Sequence, residues 1–192
     1  MRKRNVLIKI LSGIVVFVFI TGFWGARGDS VVEKRRAIQE MCKSTLADLY
    51  RLRPAARKEI KNARGYAVFS NVGIKLFLLS TANGYGLAHD NRSGKEFYMK
   101  MLSGGLGLGM GIKEFRGIFI FDSDNAFEEF VEHGWTAGGQ AEAAARLDDQ
   151  GQVVALAVEI APGIRLYQLT KNGLAAQITV QGTRYWKDDA LN

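Results

Sequence analysis

Apolar and polar residues alternate along this chain in three distinct rhythms. The first is a largely apolar run from Val6 to Trp24, broken early by Lys9 and free of charge from Ile10 to Gly25. The second has a helical step. Val31, Ile38, Met41, Cys42, Leu46 and Leu49 recur at three- and four-residue spacings, which predicts an amphipathic helix ending near Arg53. Ser30 and Glu33 stand at the spacing of a capping box at its start. Pro54 suits the first turn of a second helix running through Ile60, with Gly65 placed to stop it.

The third rhythm begins at Gly65 and has the period of strands. Gly65–Ser70, Ile74–Leu79, Tyr85–His89, Lys95–Leu102, Arg116–Phe121, Val153–Ile160, Ile164–Thr170 and Leu174–Val180 read as strands. Asp90–Gly94 and Asn172-Gly173 read as the turns of two hairpins. Gly105, Gly107, Gly109 and Gly111 alternate with Leu106, Leu108, Met110 and Ile112. On one strand they would share a face, open to tight interlayer packing or to an acyl chain. Asp124 is placed to cap a short helix, Asn125–Glu132, with Phe127, Phe130 and Val131 inward; a further helical turn is expected at Ala141–Arg146. The expected class is α+β: a mostly antiparallel sheet with a glycine-rich central strand, packed by N-terminal amphipathic helices and a short helix. Residues 30–192 form one domain, helical over 30–64 and β-rich over 65–192.

The first 29 residues stand apart. Arg2, Lys3 and Arg4 precede the apolar run, the pattern of an export signal. Phe23, Trp24 and Arg27 spoil the nearby cleavage registers. A retained signal anchor and a cleaved signal both fit, and a buried core helix is the third reading. Ile10, Val15, Phe17 and Phe19 would lie in the bilayer, with Phe23 and Trp24 at its interface. The basic N-terminal end favours export of the domain to the periplasm or cell exterior; Lys34, Arg35 and Arg36 on the far side oppose this orientation.

Charge sharpens the picture. The net charge of +7 divides into 15 Lys+Arg against 5 Asp+Glu in residues 1–64, and 11 against 14 beyond. The basic character therefore belongs beside the apolar segment and not to the body. That argues for anionic lipid headgroups and against nucleic acid. The candidate headgroup ligands are Lys34, Arg35, Arg36, Lys43, Arg57, Lys58, Lys61 and Arg64. Arg57, Lys58, Lys61 and Arg64 are the best of them, because their spacing puts much of the set on one helical face. The alternative is a solvated helix face.

Catalytic patterns are absent from the sequence. His89 and His133 have no Cys or His at metal-ligand spacing. No Gly-x-Ser-x-Gly elbow, GxGxxG or phosphate-binding Gly-Lys-Ser/Thr ending occurs. Asp122, Asp124 and Asn125 lack calcium-loop spacing, and Glu128 and Glu129 point apart on their helix. Glu96, Glu114 and Asp122 could meet only through the fold. The lone Cys42, among apolar helix residues, reads as a buried structural thiol. No cofactor or metal is expected.

Several of these segments, in this order, resemble the SYLF-domain family. Residues 63–73 (ARGYAVFSNVG) look like its opening strand motif, and Gly84-Tyr85-Gly86 is similar to its next strand. The Gly105–Gly111 alternation followed by Ile118–Phe121 resembles its central pair. Tyr167, Lys171-Asn172-Gly173-Leu174-Ala175, Val180, Gly182 and Asp189 resemble its ending. The likeness runs from about Ser44 onward. It departs at the apolar Ile74–Leu79 and lacks a Trp-Ser-x-Pro-like segment near Glu96–Met99. The resemblance implies a non-catalytic phospholipid-binding module whose basic residues near the N-terminal helices meet headgroups. The scaffolding alternative, an envelope or cytoskeletal protein partner, follows from the family's actin-binding eukaryotic members. A lipid hydrolase is the weaker alternative.

Overall fold

The computed structural model describes residues 30–76, 79–106, 111–137, 157–170, 173–174 and 182–192. Helix α1 spans Val31–Leu52, about 33 Å at 1.5 Å per residue. The capping box is formed: Ser30 Oγ accepts from the Glu33 amide at 3.2 Å, and Glu33 Oε2 accepts from the Ser30 amide at 3.1 Å. Its apolar stripe buries Ile38, Cys42, Thr45 and Leu49. Val31, the first residue of the predicted stripe, lies outside the packed layer and is exposed.

Pro54 disfavours the helical conformation in Arg53, which adopts φ −142° and ψ 89°. Helix α2, Ala56–Asn62, starts two residues later than the proline suggested and is capped by Ala63. Gly65 does not stop it. Gly65 opens strand β1, where a Cβ would stand 2.6 Å from the Phe127 ring and 2.7 Å from the His89 carbonyl.

The described strands are β1 Gly65–Leu76, β2 Leu79–Asp90, β3 Glu96–Leu106, β4 Gly111–Phe121, β5 Trp135–Ala137, β6 Val158–Ala161, β7 Ile164–Thr170, β8 Gly173–Leu174 and β9 Thr183–Lys187. They form one antiparallel sheet in the order β5-β9-β3-β2-β1-β4-β7-β6, with β8 also on β7. The two expected hairpins are present, β2–β3 and β7–β8, but Gly173, expected in the second turn, lies in β8 opposite Thr170.

Two strand expectations are corrected. Ile74–Leu79 is not one strand: it straddles the end of β1 and the start of β2, where Leu76 pairs with Leu79. The glycine alternation is not one strand either. Gly105 lies in β3 opposite Ser80, and Gly111 opens β4 opposite Lys75. Strands β2 and β1 separate the two, so these glycines do not share a single-strand face. Glycine suits a strand end as well as a strand interior, so a period of two cannot locate the break. Gly107 and Gly109 lie outside the described residues, as do Ala141–Arg146, the first half of the strand predicted at Val153–Ile160 and most of that at Leu174–Val180.

The sheet is strongly curled. Strands β4 and β9 are four neighbours apart, about 19 Å on a flat sheet at ~4.8 Å per step. Yet the Phe119 and Tyr185 rings lie 5.1 Å apart. The concave face carries Phe69, Phe97, Met99, Phe119, Phe121 and Tyr185. Helix α3, Asp124–Glu132, fills the concavity with Ala126, Phe127, Phe130 and Val131. Its N-cap is Ser123, whose Oγ accepts from the Ala126 amide at 3.3 Å, and Asp124 is its first residue. The convex face, Val68, Leu87, Tyr98, Ile118, Ile120, Tyr167 and Leu169, is covered by α1 and α2. Helix α1 crosses it obliquely: Gln39 reaches Tyr98 on β3, Asp48 reaches Arg116 on β4, and Arg53 reaches Tyr167 on β7.

Candidate functional site

The fold sorts the ten basic residues of 30–64 into different roles. Four find acids: Arg36 pairs with Glu40, Arg51 with Asp48, Arg53 with Glu59, and Arg64 with Asp90 and Asp124. Arg35 turns toward the body. Its Nε donates to the Leu191 carbonyl at 2.8 Å, and its guanidinium lies 5.4 Å from the Tyr98 ring centroid. Lys34 is half-buried and Lys43 is exposed.

Helix α2 segregates its charges. Ala56 and Ile60 are buried against the sheet. Its one acid, Glu59, faces the same way. The Glu59 carboxylate accepts from the Tyr167 hydroxyl at 2.9 Å, from Arg165 at 3.2 Å and from Arg53 at 3.4 Å. Arg53 Nε also donates to the Tyr167 hydroxyl at 2.8 Å, and Arg165 grips Asp122 with two bonds of 2.7 and 2.8 Å. Arg57, Lys58 and Lys61 occupy the opposite side and are exposed. No carboxylate among the described residues pairs with them. The Arg57 guanidinium stacks 4.6 Å from the Tyr50 ring centroid, which leaves its charge at the surface.

Arg64 does not join this face. The helix ends at Asn62, so the three-residue step from Lys61 no longer carries it along the same side. Its side chain is 10% exposed, bound to Asp90 and Asp124, 4.0 Å from Glu128 and over the Phe127 ring. Burial pushes the Asp90 carboxyl up, but the Arg64 guanidinium and the Arg92 and Ser93 amides outweigh this and hold it far below the usual carboxylate range. Arg92 and then Arg64 hold Asp124 low as well. Arg64 is thus a structural tie and not an offered cation.

Sequence reasoning missed the residues that position α2. They are Glu59, Tyr167 and Asn91, whose side-chain amide donates to the carbonyls of Ile60 at 2.7 Å and Ala63 at 3.0 Å. Only Glu59 left a signal, as the lone acid in a basic heptapeptide. The remaining candidates place differently. Glu96 bonds Gln39 and Asp122 bonds Arg165, and the Glu114 side chain lies outside what the structure describes. Among the described residues no cluster of three or more His, Cys, Asp or Glu could hold a metal. Cys42 is buried, as the sequence suggested. The anchor residues Ile10, Val15, Phe17, Phe19, Phe23 and Trp24 lie outside the described residues. Among those described, no helix is long and apolar enough to cross a membrane.

Fold and surface together define an α+β protein: a curled antiparallel sheet plugged by one helix and covered by a basic helical layer. No family model matches the chain. It is 32% identical over 159 residues to the protein named beta cell expansion factor A of Aeromonas veronii, a stretch covering 83% of this chain. The chain spans 59% of the length of that relative.

Proposed function

We propose that this protein is a non-catalytic module of the SYLF type that binds anionic phospholipid headgroups at a membrane surface, with α2 as its main contact. The observation that carries the reading is the charge segregation of α2: its acid is drawn into the Glu59–Tyr167–Arg165 network while Arg57, Lys58 and Lys61 are left facing solvent. The inward Glu59 ties α2 to the sheet, and the same sorting leaves a face of cations without an acid of its own, which suits a bilayer of phosphodiesters. Each cation near an anionic surface contributes about 1 kcal/mol, so three supply about 3 kcal/mol, or roughly two orders of magnitude in affinity. The N-terminal apolar segment would keep the domain close to such a surface, as a retained anchor or as the signal that exports it. Mass measurement of the mature N-terminus separates these two.

The test uses the full chain in nonionic detergent, which shields the apolar segment, and nanodiscs of phosphatidylcholine with or without phosphatidylglycerol. The wild type should prefer phosphatidylglycerol discs and weaken with added salt. The variant R57Q/K58Q/K61Q should lose about a hundredfold in affinity. Equal binding to both kinds of disc would sink the headgroup model. Binding to neither would point to a protein partner.

A further inference from the structure

We propose that the β2–β3 turn, residues 91–95, is the second half of the headgroup-binding surface, with Arg92 and Lys95 as its cations and Asn91 as its positioning residue. This rests on the reading of α2 given above. The turn and α2 form one clamped unit. Asn91 makes three bonds to the C-terminal end of α2 and the residues that follow it: its side chain donates to the Ile60 and Ala63 carbonyls at 2.7 and 3.0 Å, and its amide donates to the Arg64 carbonyl at 3.2 Å. Lys61 stands next to Ile60, so the α2 cations and the turn share one end of the molecule.

The turn is also internally fixed. The Asp90 carboxylate accepts from the Arg92 and Ser93 amides at 2.8 and 3.2 Å, and the Gly94 amide donates to the Asp90 carbonyl at 2.8 Å. A fixed backbone presents its side chains without an ordering cost on binding. Arg92 is 67% exposed at the side chain while it donates to Asp124 Oδ1 at 2.6 Å. Lys95 is exposed, with its ammonium 4.8 Å from the Phe97 ring centroid.

Asp124 accepts from both Arg64 and Arg92. Arg64 retains Asp90 as a second acid, whereas Arg92 is shown with Asp124 alone among the described side chains. A lipid phosphate therefore competes with Asp124 for Arg92 and leaves the Arg64 tie in place. Two cation sets on one rigid end match an array of phosphates, which a bilayer offers and a single free phosphate does not.

The same nanodisc measurement decides the point. R92Q/K95Q should bind phosphatidylglycerol discs roughly 30-fold more weakly at low salt, at about fivefold for each cation removed. D124N frees Arg92 and removes one negative charge, and should bind about fivefold more tightly. A purely structural role for these residues predicts no gain. N91A should weaken binding, and adding R92Q/K95Q to it should then cost less than in the wild type. Circular dichroism on each variant confirms that it is folded. Should R92Q/K95Q bind like the wild type while R57Q/K58Q/K61Q loses affinity, the turn is not part of the surface and the α2 reading stands. D124N with unchanged or weaker affinity also overturns the proposal. Wild-type protein that does not distinguish the two discs overturns the α2 reading and this inference with it. Inorganic phosphate competing better than chloride at equal ionic strength would assign the cations to a free anion and overturn the bilayer assignment.

Discussion

Cys42 shows how completely an environment can redefine a residue. The thiol is 5% exposed and faces the sheet. Burial, with Glu96 adding repulsion, pushes its pKa from 9.0 up to about 12. Tyr66 beside it is pushed from 10.0 up to about 12, again mainly by burial, with Cys42, Tyr50 and Glu96 adding to it. Both groups are held neutral in the folded state, with folded values above unfolded ones. Their contribution to stability is therefore whole below about pH 9 and is lost as pH rises toward 12. Stability measured in urea should fall across that window, and C42A should flatten part of the decline. A stability constant to the top of the window would show that these groups stay ionisable in the fold. Phe69 illustrates the same dependence on neighbours. Its ring lies over Gly86 on β2, where an added Cβ would stand 2.4 Å from the ring edge, so only glycine accommodates it there.

Helix α2 is the element on which the functional reading turns, and it cannot stand alone. Seven residues are too few to form a stable helix in water. It persists because Ala56 and Ile60 are buried and because Glu59 and Asn91 tie it to β7 and to the β2–β3 turn. Tyr167 is central to the first tie, since its hydroxyl both donates to Glu59 and accepts from Arg53. Tyr167→Phe removes both bonds without changing the ring. It should cost about 1–2 kcal/mol in chemical denaturation. It should also speed amide exchange across α2 more than across β1. Uniform acceleration everywhere would mean that the hydroxyl supports the sheet and not the helix.

At the scale of the molecule, the curl of the sheet creates the core. Phe130 of α3 has ring neighbours on β1 (Phe69), β4 (Phe119 and Phe121), β5 (Trp135) and β9 (Tyr185), at 4.8 to 6.2 Å between centroids. Such distant strands converge on one ring only because the sheet wraps around it. Phe130→Ala should therefore cost about 3–5 kcal/mol, read as a shift in the urea midpoint. A cost near that of a surface substitution would show that the concave face repacks without α3. The convex face instead seats the helical layer, where α1 crosses from β3 to β7 and delivers α2 to the end of the sheet from which the β2–β3 turn projects.

The sequence by itself determined the α+β class, the capped first helix, the β2–β3 and β7–β8 hairpins, the inward aromatic face of α3 and the basic bias of the helical layer. Each rests on local physics: a repeat of 3.6 or 2 residues, a capping side chain, a turn dipeptide. It did not reveal β5 and β9, which are three and five residues long and acquire strand character only by pairing with each other and with β3. Nor did it locate the break in the glycine alternation, because a period of two is the same on either side of a chain reversal. The tertiary structure alone decided which cations face outward. Arg57, Lys58, Lys61 and Arg64 look equivalent along the chain. Contacts with residues far away in sequence (Asp90 and Asp124 for Arg64, Tyr167 and Arg165 for Glu59) draw one cation and one acid inward, and leave three cations at the surface. Pairing across such distances leaves no trace in local spacing.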